Sequence, residues 1–171
     1  MIGLTGNAGS GKTTVAQILR DMGFSVVDAD KEAHEVLKHP EVIKFLKENL
    51  PEAVKNGEVD RKVLGDKVFF DEDFKKEFEK LVRPLVLERI KEVIQKIEDN
   101  IVIVDGALIY EYGVQDAFDL IVVVWAPEEE LIRRMKDRGI PEEKARAILK
   151  AQIPQEEKLK YADFVIRNYG S

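Results

Sequence analysis

Apolar positions along the chain change period several times, and each change marks an element. Met1 to Thr5 is a short apolar run that stops at a glycine, the pattern of a buried strand. From Gly11 to Met22 the residues Val15, Ile18, Leu19 and Met22 recur at helical spacing, and Gly23 stands where a helix closes. Phe24 to Val27 predicts a second strand, which ends at Asp28-Ala-Asp30. Lys31 to about Asn100 reads as helix, with a break from Leu50 to Asp60 that contains Pro51 and Gly57. Ile101 to Val104, Asp119 to Trp125 and Phe164 to Ile166 predict three further strands. Glu128 to Gln152 is helical, interrupted near Gly139 to Pro141.

Continuous apolar strands alternating with helices predict an α/β fold: a five-stranded parallel sheet covered on both faces. Right-handed crossovers then bring the strand ends, and any ligand, to one edge. The helical stretch between the second and third strands is too long for a simple crossover, so it predicts a helical subdomain inserted into the core. The expected organisation is one domain: a core of residues 1–30, 100–127 and 153–171, an insertion over about 31–99, and a lid over about 128–152.

Composition narrows the function. With 171 residues the chain can bury one sizeable core. It is 44% hydrophobic and 35% charged, which suits a globular protein. No apolar run reaches the 18 or so residues that a membrane span needs, and no leader pattern precedes Met1-Ile2, so a cytoplasmic location is the expectation, with no membrane partner. The absence of cysteine excludes disulfides, thiol nucleophiles and zinc–thiolate sites. The net charge of −6 argues against a broad nucleic-acid footprint. A small anionic substrate would be held by local positive groups.

The strongest chemical signal is Gly6-Asn7-Ala8-Gly9-Ser10-Gly11-Lys12-Thr13, which satisfies G-x4-G-K-[ST] between a predicted strand and a predicted helix. Glycines let the backbone turn so that successive N–H groups converge on phosphate oxygens, and the helix adds its positive end. Lys12 would place a cation on the β- and γ-phosphates, and the Thr13 hydroxyl would be a magnesium ligand. Asp105, after the apolar run Ile101 to Val104, resembles the Walker B carboxylate that steers magnesium. Asp28 and Asp30, two apart on an extended stretch, would face the same side; one could take a proton from a hydroxyl, while Asp30 could equally cap a helix from Lys31. Arg134 and Arg138, four apart on one helical face, could ride on a lid and meet the charge that spreads over a transferring phosphoryl group.

These features leave a small-molecule kinase, a GTPase switch and an ATPase module in competition. No Asn-Lys-x-Asp guanine-reading motif is present, and the size, the insertion and the arginines favour a kinase. The acceptor could still be a nucleoside or nucleotide, or the fold could bind nucleotide without transfer.

Nearly the whole chain resembles the dephospho-coenzyme A kinase family. The resemblance is carried by Ile2 to Thr13, by Val26-Val-Asp-Ala-Asp30, by Asp60-Arg61 with Leu64 and Val68-Phe69, and by a tail comprising Gln152, Pro154, Glu157-Lys158, Ala162-Asp163, Val165-Ile166 and Asn168-x-Gly170. The sequence departs from the family at Arg83-Pro84 (family His-Pro), at Ala107 (usually proline) and at Ile148 (often arginine), and members usually continue past Ser171 into another helix. The resemblance implies that ATP with Mg2+ phosphorylates the ribose 3′-hydroxyl of dephospho-coenzyme A. It implies a catalytic set of Lys12, Asp30 as base, and Arg138. Nucleotide contacts would come from Asn7 to Thr14, Arg134, Asn168 and Gly170. The acceptor would meet Thr5, Asp28, Asp30, Arg61, Leu64, Phe69, Arg83, Leu108, Tyr110 and Glu111, and Thr13 and Asp105 would serve the metal.

Overall fold

The computed structural model describes residues 1–110 and 113–170. The chain divides into two compact units, one formed by Met1–Asp28 with Lys96–Ser171 and the other by Ala29–Gln95.

The first unit is built on five parallel strands: β1 (Ile2–Thr5), β2 (Ser25–Asp28), β5 (Val102–Asp105), β6 (Leu120–Trp125) and β7 (Phe164–Arg167). Their spatial order is β2-β5-β1-β6-β7, and every ladder between them is parallel, as the unbroken apolar runs predict. β1 lies at the centre, with Ile2 opposite Ile103 on one side and Leu120 on the other. The two-residue alternation along β6 separates the faces. Val122 and Val124 turn toward helix α1 (Lys12–Asp21), where Leu4, Ala16 and Ile103 complete one buried layer. Ile121 and Val123 turn the other way, onto Ile109, Tyr110 and Leu159. The lid expected over residues 128–152 folds as α6 (Glu128–Asp137) and α7 (Glu142–Ala151), packed on each other through Leu131, Ile132, Met135 and Ala145. A short helix, α8 (Gln155–Leu159), leads into β7.

The second unit holds α2 (Ala29–Val36), α3 (Pro40–Asn49), α4 (Arg61–Phe70) and α5 (Glu72–Gln95). Its core is a ridge along α5, where Phe74, Phe78, Val82, Val86 and Ile90 repeat every fourth residue and are all buried. Phe74 and Phe78 stack with ring centroids 5.9 Å apart, and Phe45 of α3 tilts against both. The break expected from Leu50 to Asp60 is more ordered than a loop. It contains an antiparallel hairpin, β3 (Val54–Lys55) with β4 (Glu58–Val59). Asn56 and Gly57 both take positive φ, 54° and 77°, the turn that matches strand twist. Asp60 then caps α4, accepting from the Lys62 and Val63 N–H groups at 3.1 and 3.3 Å.

One expectation about Asp30 is corrected. β2 runs one residue further than its apolar run, through Asp28, and α2 begins at Ala29. Asp30 therefore lies in the first helical turn rather than on an extended stretch, and it is not the residue that caps the helix. The carboxylate in register with Asp28 is instead Asp105, its partner across the β2–β5 ladder.

Candidate active site

Gly6 to Gly11 crosses the carboxyl edge of the sheet between β1 and α1, where the loop backbone crowds against its surroundings. A Cβ on Gly9 would stand 2.5 Å from the Leu131 carbonyl, and one on Gly11 would clash with Asn168 Nδ2. Both residues have positive φ, 84° and 95°, so only glycine takes these places without strain. Gly11 also supplies no side-chain acceptor for the start of α1, so an anion is the natural partner for the first-turn N–H groups.

Each side of the loop has its own anchor. On the Gly9–Ser10 side, Arg134 of α6 donates through Nη1 to the carbonyls of Gly9 (3.0 Å) and Ser10 (3.2 Å). Its Nη2 donates to the carbonyls of Asn168 (3.1 Å) and Gly170 (3.3 Å). Asn168 adds a bond from Nδ2 to the Ser10 carbonyl at 3.0 Å. On the Asn7–Ala8 side, Gln152 Oε1 accepts from the Ala8 N–H at 3.1 Å, and the Ile153 carbonyl accepts from Asn7 Nδ2 at 3.1 Å. Lys158 of α8 donates to Asn7 Oδ1 at 2.6 Å.

Lys12 forms an ion pair with Asp105, and both side chains are largely covered. Thr13 and Thr14 are exposed on the first turn of α1. The candidate metal donors, the Thr13 hydroxyl and the Asp105 carboxylate, are hard oxygens of the kind magnesium prefers. Among the described residues no cluster of three or more His, Asp or Glu forms a metal cage.

The remaining expected positions divide between the units. Thr5 is fully buried, and its hydroxyl donates to the Ala107 carbonyl at 3.2 Å. Leu108 is half-buried. Tyr110 is buried, and its phenol is pushed up to about 12, first by burial and then by the nearby Asp163 charge, so it stays neutral. Glu111 lies outside the described residues. Arg138 is exposed just past the end of α6, and its backbone N–H caps that helix. In the helical unit, Arg61 Nη1 lies 2.9 Å from His34 Nδ1, Leu64 is buried, and Phe69 is half exposed with its ring edge against Phe70. Arg83 pairs with Glu79 one turn back along α5, and Asp30 is exposed. Sequence reasoning gave no site role to Gln152 or Lys158, although both lie in the tail that carries the resemblance. It also passed over Trp125, whose Nε1 donates to Glu156 at 2.9 Å. The Arg167 guanidinium lies 5.4 Å from this ring, and Tyr169 meets it edge-on.

A strand–glycine loop–helix with a covered lysine–aspartate pair at the carboxyl edge of a parallel sheet has the geometry of a phosphate cradle, but that geometry is shared by many kinases. The comparison that decides among them covers residues 1–171, all of which match the family model described as CoaE, Dephospho-CoA kinase. The chain belongs to the dephospho-CoA kinase family. The dephospho-CoA kinase of Aquifex aeolicus is 40% identical over 176 residues, which cover 99% of this chain and 89% of that one. The Thermus thermophilus dephospho-CoA kinase is 39% identical over 172 residues, covering 100% of this chain and 84% of its own. A crystal structure from Thermus thermophilus superposes with a TM-score of 0.89 at 39% identity, over 99% of this chain and 88% of that one. The Campylobacter jejuni dephospho-CoA kinase gives 0.74 at 33% identity, with the same coverage. A shikimate kinase from Bacteroides thetaiotaomicron, at 19% identity and a TM-score of 0.52 over 97% of this chain and 84% of that one, shares the fold alone.

Proposed function

We propose that this chain catalyses its family's reaction: ATP-dependent phosphorylation of dephospho-CoA to give CoA and ADP, at the ribose 3′-hydroxyl. The carrying observation is the whole-chain family match, which falls on a phosphate cradle with its lysine and aspartate in contact. The work would be done in the cytoplasm, where ATP and Mg2+ are supplied.

The residues divide the task as follows. The backbone of Gly9 to Thr13 and the start of α1 hold the phosphates. Lys12 passes from Asp105 to the β- and γ-phosphates when nucleotide enters, which releases the carboxylate. Thr13 and Asp105 would hold the magnesium ion, which supplies charge neutralisation between the phosphates. Asn168 and Gly170 lie beside the adenine, on the strand end that Arg134 ties to the loop. Asp30 takes the proton as the acceptor oxygen bonds to the γ-phosphorus and the bond to ADP breaks. Arg138, on the lid formed by α6 and α7, meets the charge that develops on the transferring group. The insertion expected over about residues 31–99 would bind the acceptor, with Arg61, Leu64, Phe69 and Arg83 as its contacts. Thr5, Asp28, Leu108, Tyr110 and Glu111 complete the acceptor side from the core.

An ADP-release assay over a panel of acceptors tests this directly. The expected result is turnover with dephospho-CoA far above that with nucleosides, nucleoside monophosphates or shikimate, and a product heavier by one phosphoryl group. Preference for a nucleoside monophosphate would overturn the reading, as would ATP binding without turnover on any acceptor.

A further inference from the structure

Lys158 is a cation in an unusual place. Its side chain is among the most deeply buried in the molecule, with only 1% of the residue exposed, on a helix of five residues. Burying an ammonium group is costly unless its donors are well used, and a leucine or methionine would fill the same space without that cost. Here one donor meets the phosphate loop and another the Ala107 carbonyl. Nζ lies 2.6 Å from Asn7 Oδ1 and 3.5 Å from the Ala107 carbonyl, the same carbonyl that takes the Thr5 hydroxyl. The amide of Asn7 is then fixed from its other end by the Ile153 carbonyl. Its neighbour Ala8 gives its N–H to Gln152, the residue directly after α7.

The two sides of the loop therefore have separate supports. Gly9 to Thr13 is held by α1, Arg134 and Asn168, while the Asn7–Ala8 corner is held by the segment that ends the lid. We propose that Lys158 and Gln152 are positioning residues that fix the Asn7–Ala8 corner for phosphoryl transfer, acting on the reaction only through the loop. The Gly9 to Thr13 side, which carries the larger part of the nucleotide contacts, keeps its own supports when they are lost. The expected signature is thus a fall in turnover with little change in nucleotide affinity. A displacement of about 1 Å at a reacting centre is enough for roughly a hundredfold loss.

The proposal rests on the kinase reading for its kinetic readout, so wild-type turnover is measured first; an inactive wild type counts against that reading and not against this one. Lys158→Met is expected to lower kcat roughly 10- to 100-fold with KM for ATP within about threefold of wild type. Lys158→Arg, which keeps the charge and donors, is expected to recover most of the loss. In an Asn7→Ala background, Lys158→Met is expected to cost nothing further, because its route to the reaction has already been removed. If Lys158→Met does not fold, Gln152→Leu at its half-buried position must show the same kcat-only loss. A readout independent of activity accompanies these: the Ala8 amide, whose bond to Gln152 should protect it from hydrogen exchange in the wild type, should lose that protection in Gln152→Leu. The proposal is overturned if the folded variants keep kcat within twofold and only melt earlier, if the effects of Lys158→Met and Asn7→Ala multiply, or if Ala8 protection is unchanged.

Discussion

In residues 1–28 and 96–171 three cations around the phosphate loop are under cover, although Arg138 is exposed. Lys12 rests on Asp105, Arg134 on the carbonyls of Gly9, Ser10, Asn168 and Gly170, and Lys158 on Asn7. Residues 29–95 distribute charge differently. Lys38–Glu35 and Lys67–Asp71 are solvated pairs one helical turn apart, and the pair of Glu32 with Arg89 at 2.7 Å is the exception that reaches inward. Here the structure rests on an apolar ridge and on caps, and exposed ion pairs of this kind contribute little. On the proposed reading, a loop fixed in advance suits a small and invariant group such as a triphosphate, and a surface whose side chains can adjust suits the larger acceptor.

Four changes press on that contrast, in descending order of expected effect. Lys12→Ala removes the cation from the fixed site and should reduce turnover at least about a thousandfold, with far-UV circular dichroism unchanged; substantial residual turnover would show that the cradle does not depend on its lysine. Asp30→Asn, at the first turn of the helical unit, should lower kcat by roughly two to four orders of magnitude with ATP binding nearly constant. Full activity of that variant would remove Asp30 from the role of base. Phe78→Ala opens the ridge of α5 and should cost about 3–5 kcal/mol, read by chemical denaturation. A cost below about 1 kcal/mol would mean that the ridge does not carry the helical unit.

The smallest effect is a pH dependence. Asp60 is held below its ordinary value of 3.8, first by the Val63 N–H and next by the Lys55 ammonium. Folding therefore favours its ionised form, and the contribution is complete above the ordinary value and lost as pH falls through the lowered one. Asp60→Ala should melt earlier than wild type by a constant margin from about pH 5 to 7, and the margin should close below pH 3.8. A margin that persists unchanged in acid would place the effect in packing rather than in the cap charge.

Much of this was legible in the residues. The five strands follow from apolar runs because a strand buried on both faces needs no polar alternation, and the cradle follows from glycine spacing because the turn admits little else. Asp30 was misplaced for a physical reason: Asp28-Ala-Asp30 is short and polar enough to suit either a strand end or a helix start, and only the packing of α2 decides between them. The hairpin at Val54 to Val59 was announced by Asn56-Gly57, but arms of two residues are too short to show alternation. Lys158 carried part of the resemblance but had no local signal of its burial. It stands in a run of charged residues, and what buries it are partners some 50 and 150 positions away in the chain. The acceptor was legible through resemblance alone, since no periodicity or spacing in residues 29–95 encodes it.

Trp125 has an optical consequence. It is the chain's single tryptophan, and its backbone carbonyl takes the Asn168 N–H at 2.7 Å while Glu156, Arg167 and Tyr169 surround the indole. A guanidinium over an indole and a carboxylate on its N–H both tune its excited state. A shift of the β7 end that Arg134 ties to the phosphate loop should therefore change the emission of one indole, without a label, when excitation is set beyond the tyrosine band.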